Sequence, residues 1–316
     1  MARLPREYFD RRSDVVSLLC VTGHMLLVFA APVVAAYAGP AWWWILAWGF
    51  LGSGMNGLLN LMHESAHALV FRGKGPSEFL GRYVLAPLVF ADFDGYKARH
   101  WQHHRCLGVE GETKDTYVIE IHGTKVLRLL LRCLSGAEAL RKFSGHQTRQ
   151  DEGRQPDTSN GWYLRVVVVQ ALLAGVLSLA ALAGHRSWQA AFVSAVAAYG
   201  FIYLYGLMSL TVFAAALRAI AEHQIHGASD VQGYAALRNF KCNAVTRFLM
   251  GAYGFGEHET HHLHPGIPYY NLPSATTELV KEQPSLTPRH GYFTTLLHIM
   301  RTDQARHPDA ASARVS

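Results

Sequence analysis

The run Phe79-Leu80-Gly81-Arg82-Tyr83-Val84-Leu85-Ala86-Pro87-Leu88-Val89-Phe90 decides how the chain is laid out. Its 12 residues are mostly apolar, but Arg82 and Pro87 interrupt them. A helix needs about 20 residues to cross about 30 Å of hydrocarbon. The run is therefore read as an interfacial or re-entrant segment that comes back to the side it left. If it crossed instead, the residues before and after it would lie on opposite faces of a bilayer, and two groups of histidines could not meet.

Longer runs lie on both sides. No Asp, Glu, Lys or Arg occurs over 15–37, nor, after the break at Gly39-Pro40, over 41–61. These predict a helical hairpin, and 166–183 with 188–217 predict a second, turning at Gly184-His185-Arg186-Ser187. The first run is too long for the core of a signal peptide and is taken as a span. The last run has 30 uncharged residues. At 1.5 Å per residue that is roughly 45 Å of helix, so it is expected to tilt, kink or project from the membrane. Between the hairpins, 126–143 sets Arg128, Arg132, Arg141 and Lys142 among leucines. That pattern suits a helix on an anionic membrane surface or one packed on a soluble cap. The stretch 144–160 reads as an exposed polar loop.

Half of the 316 residues are hydrophobic and 16% are charged, against about 25% charged in an average soluble domain. With the apolar residues gathered into long runs, this composition is that of a membrane protein. The net charge of +6 does not mark a nucleic-acid binder, because the basic residues flank the apolar runs. Arginines collect before the first span, in the central loop and after the last span, so these parts are assigned to the cytoplasm. Cys20, Cys106, Cys133 and Cys242 form no CxxC pair and are expected as reduced thiols. The expected fold is all-α, with four transmembrane helices in two hairpins and a cytosolic helical cap. A cytosolic segment 1–14 precedes a single integral-membrane domain over 15–300, and 301–316 forms a disordered tail.

The chemistry is carried by His63-Glu64-Ser65-Ala66-His67, His100-Trp101-Gln102-His103-His104 and His258-Glu259-Thr260-His261-His262. Residues three and four apart share a helix face, so the three imidazoles of each HxxHH segment are expected to aim at one point. A lone helical histidine is ordinarily a core or surface residue, whereas three clusters in one chain point to metal. With His223, beside Glu222 at the end of the last span, they make nine imidazoles. That exceeds what one four-coordinate zinc uses and suits two ions with positions left open. Imidazole accepts Zn, Cu, Fe or Ni, so the donor set does not name the metal. Glu64, Asp115, Glu222, Glu257 and Glu259 are candidate acceptors for the second ring N–H of a ligand. His226 and His264 are further candidates as ligands or supports. His24, His122, His146, His185, His290, His298 and His307 are read as structural or surface residues.

The order HExxH, HxxHH, Ala221-Glu222-His223 and HxxHH, followed by Leu263-His264-Pro265-Gly266-Ile267-Pro268-Tyr269-Tyr270-Asn271-Leu272-Pro273, resembles the membrane-bound fatty acid desaturase and hydroxylase family. The resemblance runs over 56–273. It implies a non-haem centre of two Fe ions ligated by His63, His67, His100, His103, His104, His223, His258, His261 and His262. It also implies O2 as co-substrate and two external electrons for attack on an unactivated C–H bond of a fatty acyl chain or related lipid. Both desaturation and hydroxylation occur in the family. No flavin or nucleotide fingerprint is present, so the electrons are expected from a separate ferredoxin or cytochrome b5-type donor with its reductase. Two positions depart from the pattern: His264 stands where the family often has Phe, and Ala219 stands where the acyl-CoA branch has Asn.

Two other classes compete. His63-Glu64-Ser65-Ala66-His67 alone matches a zinc protease with Glu64 as general base, but that leaves the remaining clusters unused. A metal carrier would also collect histidines, although along a path inside the spans rather than beyond their ends.

Overall fold

A computed structural model describes residues 4–10, 13–107, 124–143, 161–223, 237–282 and 291–302. Asp115, His226, the predicted loop at 144–160 and the tail from 303 lie outside the described residues. The described part is helical, with no strand. In chain order it holds α1 (Asp14–Ala38), α2 (Trp44–Ala66), α3 (Lys74–Phe79), α4 (Ala86–Leu88), α5 (Phe93–Arg105), α6 (Thr124–Leu134) and α7 (Ala137–Phe143). Then come α8 (Gly161–Gly184), α9 (Trp188–Ala197), α10 (Val212–His223), α11 (Ala244–Thr246), α12 (His258–Leu263), α13 (Leu272–Glu282) and α14 (Tyr292–Thr302).

Four helices are long and apolar enough to cross a bilayer: Asp14–Ala38, Trp44–Ala66, Gly161–Gly184 and Trp188–His223. The second runs past the predicted end at 61, because no breaker stands between Leu61 and His67. The fourth continues to His223 through π-helical turns at Ala198–Tyr205 and Leu207–Thr211. Its 36 residues make roughly 54 Å of helix, well over the thickness of the hydrocarbon. In their most apolar windows α2 is 61% buried, against 22% for α1 and for α8, which makes α2 the central helix. Small residues let it sit there: a Cβ added at Gly52 would lie 2.5 Å from Leu210 Cβ, and one at Gly54 would strike Val28. On α1, Leu18, Leu19, Leu26 and Leu27 stay exposed, as do Leu172, Leu179 and Leu182 on α8, giving faces for lipid chains.

The segment from α3 to α4, joined by π-helical Leu80–Leu85, folds back on itself. Its tip lies among the spans, where the Pro87 carbonyl accepts from Gln170 Nε2 at 2.9 Å and the Leu88 carbonyl from the Tyr203 hydroxyl. Gln170 is nine residues into α8, about 14 Å along the helix. Irregular backbone at such depth needs protein partners, and these two side chains supply them. Phe90, at φ 54°, reverses the chain, and Asp92 caps α5 by accepting from the Asp94 and Gly95 amides at 3.2 and 3.0 Å. Arg82 pairs with Asp94 at 2.6 Å and Lys97 with Glu78, holding α5 against the outgoing limb. At the other end, Asp14 accepts from the Arg72 amide at 2.7 Å, so the start of α1 and the exit of α2 share a face.

Helix α6 turns Val126, Leu129, Leu130 and Cys133 into one core with Ala214, Leu217 and Ile220 of α10 and Leu296 and Ile299 of α14. Leu127, Leu131 and Leu140 remain exposed. The pair is thus packed against the end of the last span and still keeps an apolar outer side. Glu138, 1% exposed, is held there by Arg141 and, at 3.2 Å, by Arg132.

Candidate metal centre

Four segments deliver histidines to one buried region. Helix α2 carries His63 in its last turn, with His67 just beyond it. Ala68, at φ 58°, takes a left-handed conformation that returns the Leu69 amide to the Glu64 carbonyl at 3.0 Å and stops the helix there. Helix α5 carries His100, His103 and His104, and α10 ends on His223. The last three sit on α12, which has only six residues and is too short to be stable alone. Gly254, at φ 73°, makes the left-handed turn into it. Asn239, fully buried, accepts from the Thr260 amide and donates to Glu259, both at 3.2 Å. The Thr276 hydroxyl reaches the Thr260 hydroxyl at 2.7 Å. Behind α12, Ile267 and Leu272 pack on Leu4 and Tyr8, and Asn271 donates to the Tyr8 carbonyl at 3.0 Å.

All nine predicted imidazoles come together, none more than 8% exposed. They form two groups rather than one point per segment. His63, His67, His100, His104 and His261 make the first; His103, His223, His258 and His262 make the second. The expectation that each HxxHH aims at a single point is therefore corrected. At about 100° per residue, i+4 lands about 40° past i while i+3 falls about 60° short. The i and i+4 histidines share a group, and the i+3 histidine, His103 or His261, turns to the other. The groups touch where the His104 and His262 rings stack at 4.2 Å.

In the first group Nε2 atoms are separated by 2.7 Å (His67 to His100), 3.1 Å (His100 to His104) and 3.2 Å (His104 to His261). In the second they are 2.8 Å apart (His223 to His258) and 3.2 Å apart (His258 to His262). A ring nitrogen carries one proton or one lone pair, yet Nε2 of His100 lies within reach of two neighbours. Ligands at right angles around an ion about 2.1 Å away would be about 3.0 Å apart, and tetrahedral ones about 3.4 Å. The spacing thus fits donors for an ion of coordination number above four. Burial, and then the neighbouring imidazoles, hold His258 and His262 well below the usual histidine pKa. They are neutral at pH 7, the form a metal requires.

The acidic candidates divide. Glu64 Oε1 lies 3.3 Å from His63 Nδ1, placed to take a ring N–H, and Glu222 Oε2 faces His258 Nδ1 from 3.7 Å, a charge contact longer than a hydrogen bond. Glu259 is engaged by Asn239, and Glu257 is buried in the turn before α12. His264 ends α12, half-buried, with its amide on the Thr260 carbonyl, and its ring joins neither group. His24 (on the Gly54 carbonyl and the Tyr253 hydroxyl) and His185 (on the Ala36 carbonyl) are structural, as read.

Sequence reasoning missed Asn56, Asn60, Arg218, Asn239 and Tyr292, all buried around the histidines. Asn56, Asn60 and Arg218 did carry a signal, being polar residues in otherwise apolar segments. Nothing local marked Asn239 or Tyr292. Beside the histidines lies a cavity of about 480 Å³, walled by Leu59, Met62, Val89, Ala215 and Ala219 and reaching His63, His223 and His258. Its far wall is the α6–α7 pair, through Leu129 and Lys142.

Fold and site together define a multi-span membrane protein with buried imidazole groups able to hold metal. Residues 40–293 match the model of the family described as fatty acid desaturase, and the chain belongs to that family. Among known proteins it is similar to the omega-6 fatty acid desaturase, chloroplastic, of Spinacia oleracea, with 26% identity over 104 residues. That stretch is 32% of this chain and 22% of the plant protein, so only about a fifth of the relative's length is covered.

Proposed function

We propose that the protein is an O2-dependent oxidoreductase that desaturates a fatty acyl chain or related lipid at a centre of two iron ions. The observation that supports it best is the pair of buried imidazole groups, with Nε2 atoms 2.7 to 3.2 Å apart, at the end of an apolar cavity between spans. One ion would be held by His63, His67, His100, His104 and His261, the other by His103, His223, His258 and His262. When bound, the iron pair supplies the oxidising power to take hydrogen from an unactivated methylene. Overall, O2, two electrons and two protons join two hydrogens from adjacent carbons to give two waters and a double bond. The chain's own residues do the rest. Leu59, Met62, Val89, Ala215 and Ala219 hold an alkyl chain straight and exclude water beside the histidines. Glu64 and Glu222 fix the tautomers of His63 and His258. Electrons come from a separate ferredoxin or cytochrome b5-type protein, and the histidine end of the helices faces the cytoplasm, in keeping with the flanking arginines.

The test is lipid profiling of a host expressing the chain beside a His261→Ala control, with metal analysis of both purified proteins. Expected are lipids lighter by two hydrogens with the wild type only, and about two irons per wild-type chain. A hydroxylated product would make the enzyme a hydroxylase of the same family. An unchanged profile would remove the lipid substrate, and a single zinc would favour an HExxH protease.

A further inference from the structure

The last span carries a buried cation that the histidine set does not use. Arg218 is 7% exposed, and a charge within a membrane-spanning helix is costly unless it is paired. Its Nε donates to Glu222 Oε1 at 2.9 Å and its Nη2 to Oε2 at 3.3 Å. Nη1 donates to Asn60 Oδ1 and, at 3.4 Å, to Asn56 Oδ1. The guanidinium also lies 4.0 Å over the Phe255 ring. The two asparagines are themselves oriented, Asn56 donating to the Leu249 carbonyl at 3.0 Å and Asn60 to the Ala252 carbonyl at 2.9 Å.

These contacts converge on one carboxylate. Glu222 Oε1 also accepts from the Tyr292 hydroxyl at 3.0 Å, and Oε2 faces His258 Nδ1 at 3.7 Å. An imidazole whose Nδ1–H is turned to a carboxylate presents the Nε2 lone pair on its opposite side. For His258 that side holds His223 at 2.8 Å and His262 at 3.2 Å. A planar fork grips both carboxylate oxygens at once, which an ammonium cannot do. In the first histidine group the corresponding carboxylate is Glu64, the neighbour of His63 in sequence, at 3.3 Å from its Nδ1.

We propose that Arg218 is the positioning residue of the second histidine group: supported by Asn56 and Asn60, it sets the Glu222 carboxylate so that His258 points its Nε2 at His223 and His262. Tyr292 ties α14 to the same carboxylate. The role rests on the metal-centre reading above, and it predicts an effect on one group only.

The experiment uses the purified full chain loaded with ferrous iron. It measures metal per chain, the rate of iron release to a ferrous chelator, and thermal unfolding of the metal-free protein. In Arg218→Gln, one iron leaves about 10–100-fold faster than in wild type, the usual effect of removing an outer-shell partner, while the other keeps its wild-type rate. Arg218→Lys keeps the charge without the fork and gives an intermediate rate for that same iron, with metal-free unfolding close to wild type. If both irons are released equally fast in Arg218→Lys, or neither is accelerated, the role is overturned. The metal count of the wild-type chain tests the proposed function separately: a chain that binds no metal sinks both ideas, whereas two irons lost together in Arg218→Lys sinks only that of Arg218.

Discussion

Asn239 belongs to neither histidine group, yet it holds the segment that carries three of the imidazoles. Its side chain closes on the Thr260 amide and on Glu259, while Thr276 holds the Thr260 hydroxyl. Replacing it by Ala leaves a buried amide and a carboxylate without that partner, a cost of about 1–3 kcal/mol. Because α12 feeds both imidazole groups, Asn239→Ala is expected to lower the unfolding temperature and reduce bound metal at both sites. Iron content and thermal unfolding measured together check this, and loss from one site alone would contradict it. Tyr292 shows the converse. Burial, and then the nearby Glu222 charge, push its hydroxyl well above the usual tyrosine range, so it stays a donor at any working pH. Tyr292→Phe should cost about 1 kcal/mol.

At the scale of elements, the α6–α7 pair stays in place through one buried carboxylate. Burial alone would raise the Glu138 pKa, but Arg141 and Arg132 outweigh it and hold it below its ordinary 4.5. The unfolded chain therefore takes up this proton first as the solution is acidified. Its contribution to stability is complete above about pH 4.5 and is lost as pH falls toward the lowered value. Glu138→Gln is expected to be less stable at pH 7, with a flatter decline below pH 5; parallel melting curves from pH 7 to 3 decide it. The re-entrant limb has an equally narrow tolerance. A Cβ at Gly81 would run into the Phe93 ring, which is 1% exposed and begins α5. Gly81→Ala should displace α5, costing about 1–3 kcal/mol and weakening metal retention, whereas Gly175→Ala on α8, with open space at its Cβ, should do neither.

Across the whole molecule, if all four apolar helices span, residues 7, 74 and 125 fall on one face and the hairpin turn at Arg186 on the other. In a cysteine-free background, single cysteines at Glu7, Lys74 and Lys125 should react with a membrane-impermeant thiol reagent only from the cytoplasmic side, and one at Arg186 only from the opposite side. Labelling of Lys74 and Lys125 from different sides would remove the re-entrant reading. The spans were legible because charge is excluded from them, and the turn-back at 79–90 because 12 residues cannot reach across. All nine histidines were legible because metal chemistry concentrates one residue type at fixed spacings. The division of each HxxHH between two groups was not, since it depends on how α5 and α12 are rotated against each other. Nor was Asn239, whose role comes from a chain return that no local pattern announces. The helices run to 66 and 223, past the apolar runs that end at 61 and 217, because apolarity stops where lipid stops while hydrogen bonding continues.

The exchange of His103 and His261 between the groups has a consequence for biogenesis. Neither half of the chain owns a complete donor set: the first group takes His261 from the late half, and the second takes His103 from the early half. A metal filling either group would therefore bridge the two halves, and its full donor set would exist only once they are seated on each other.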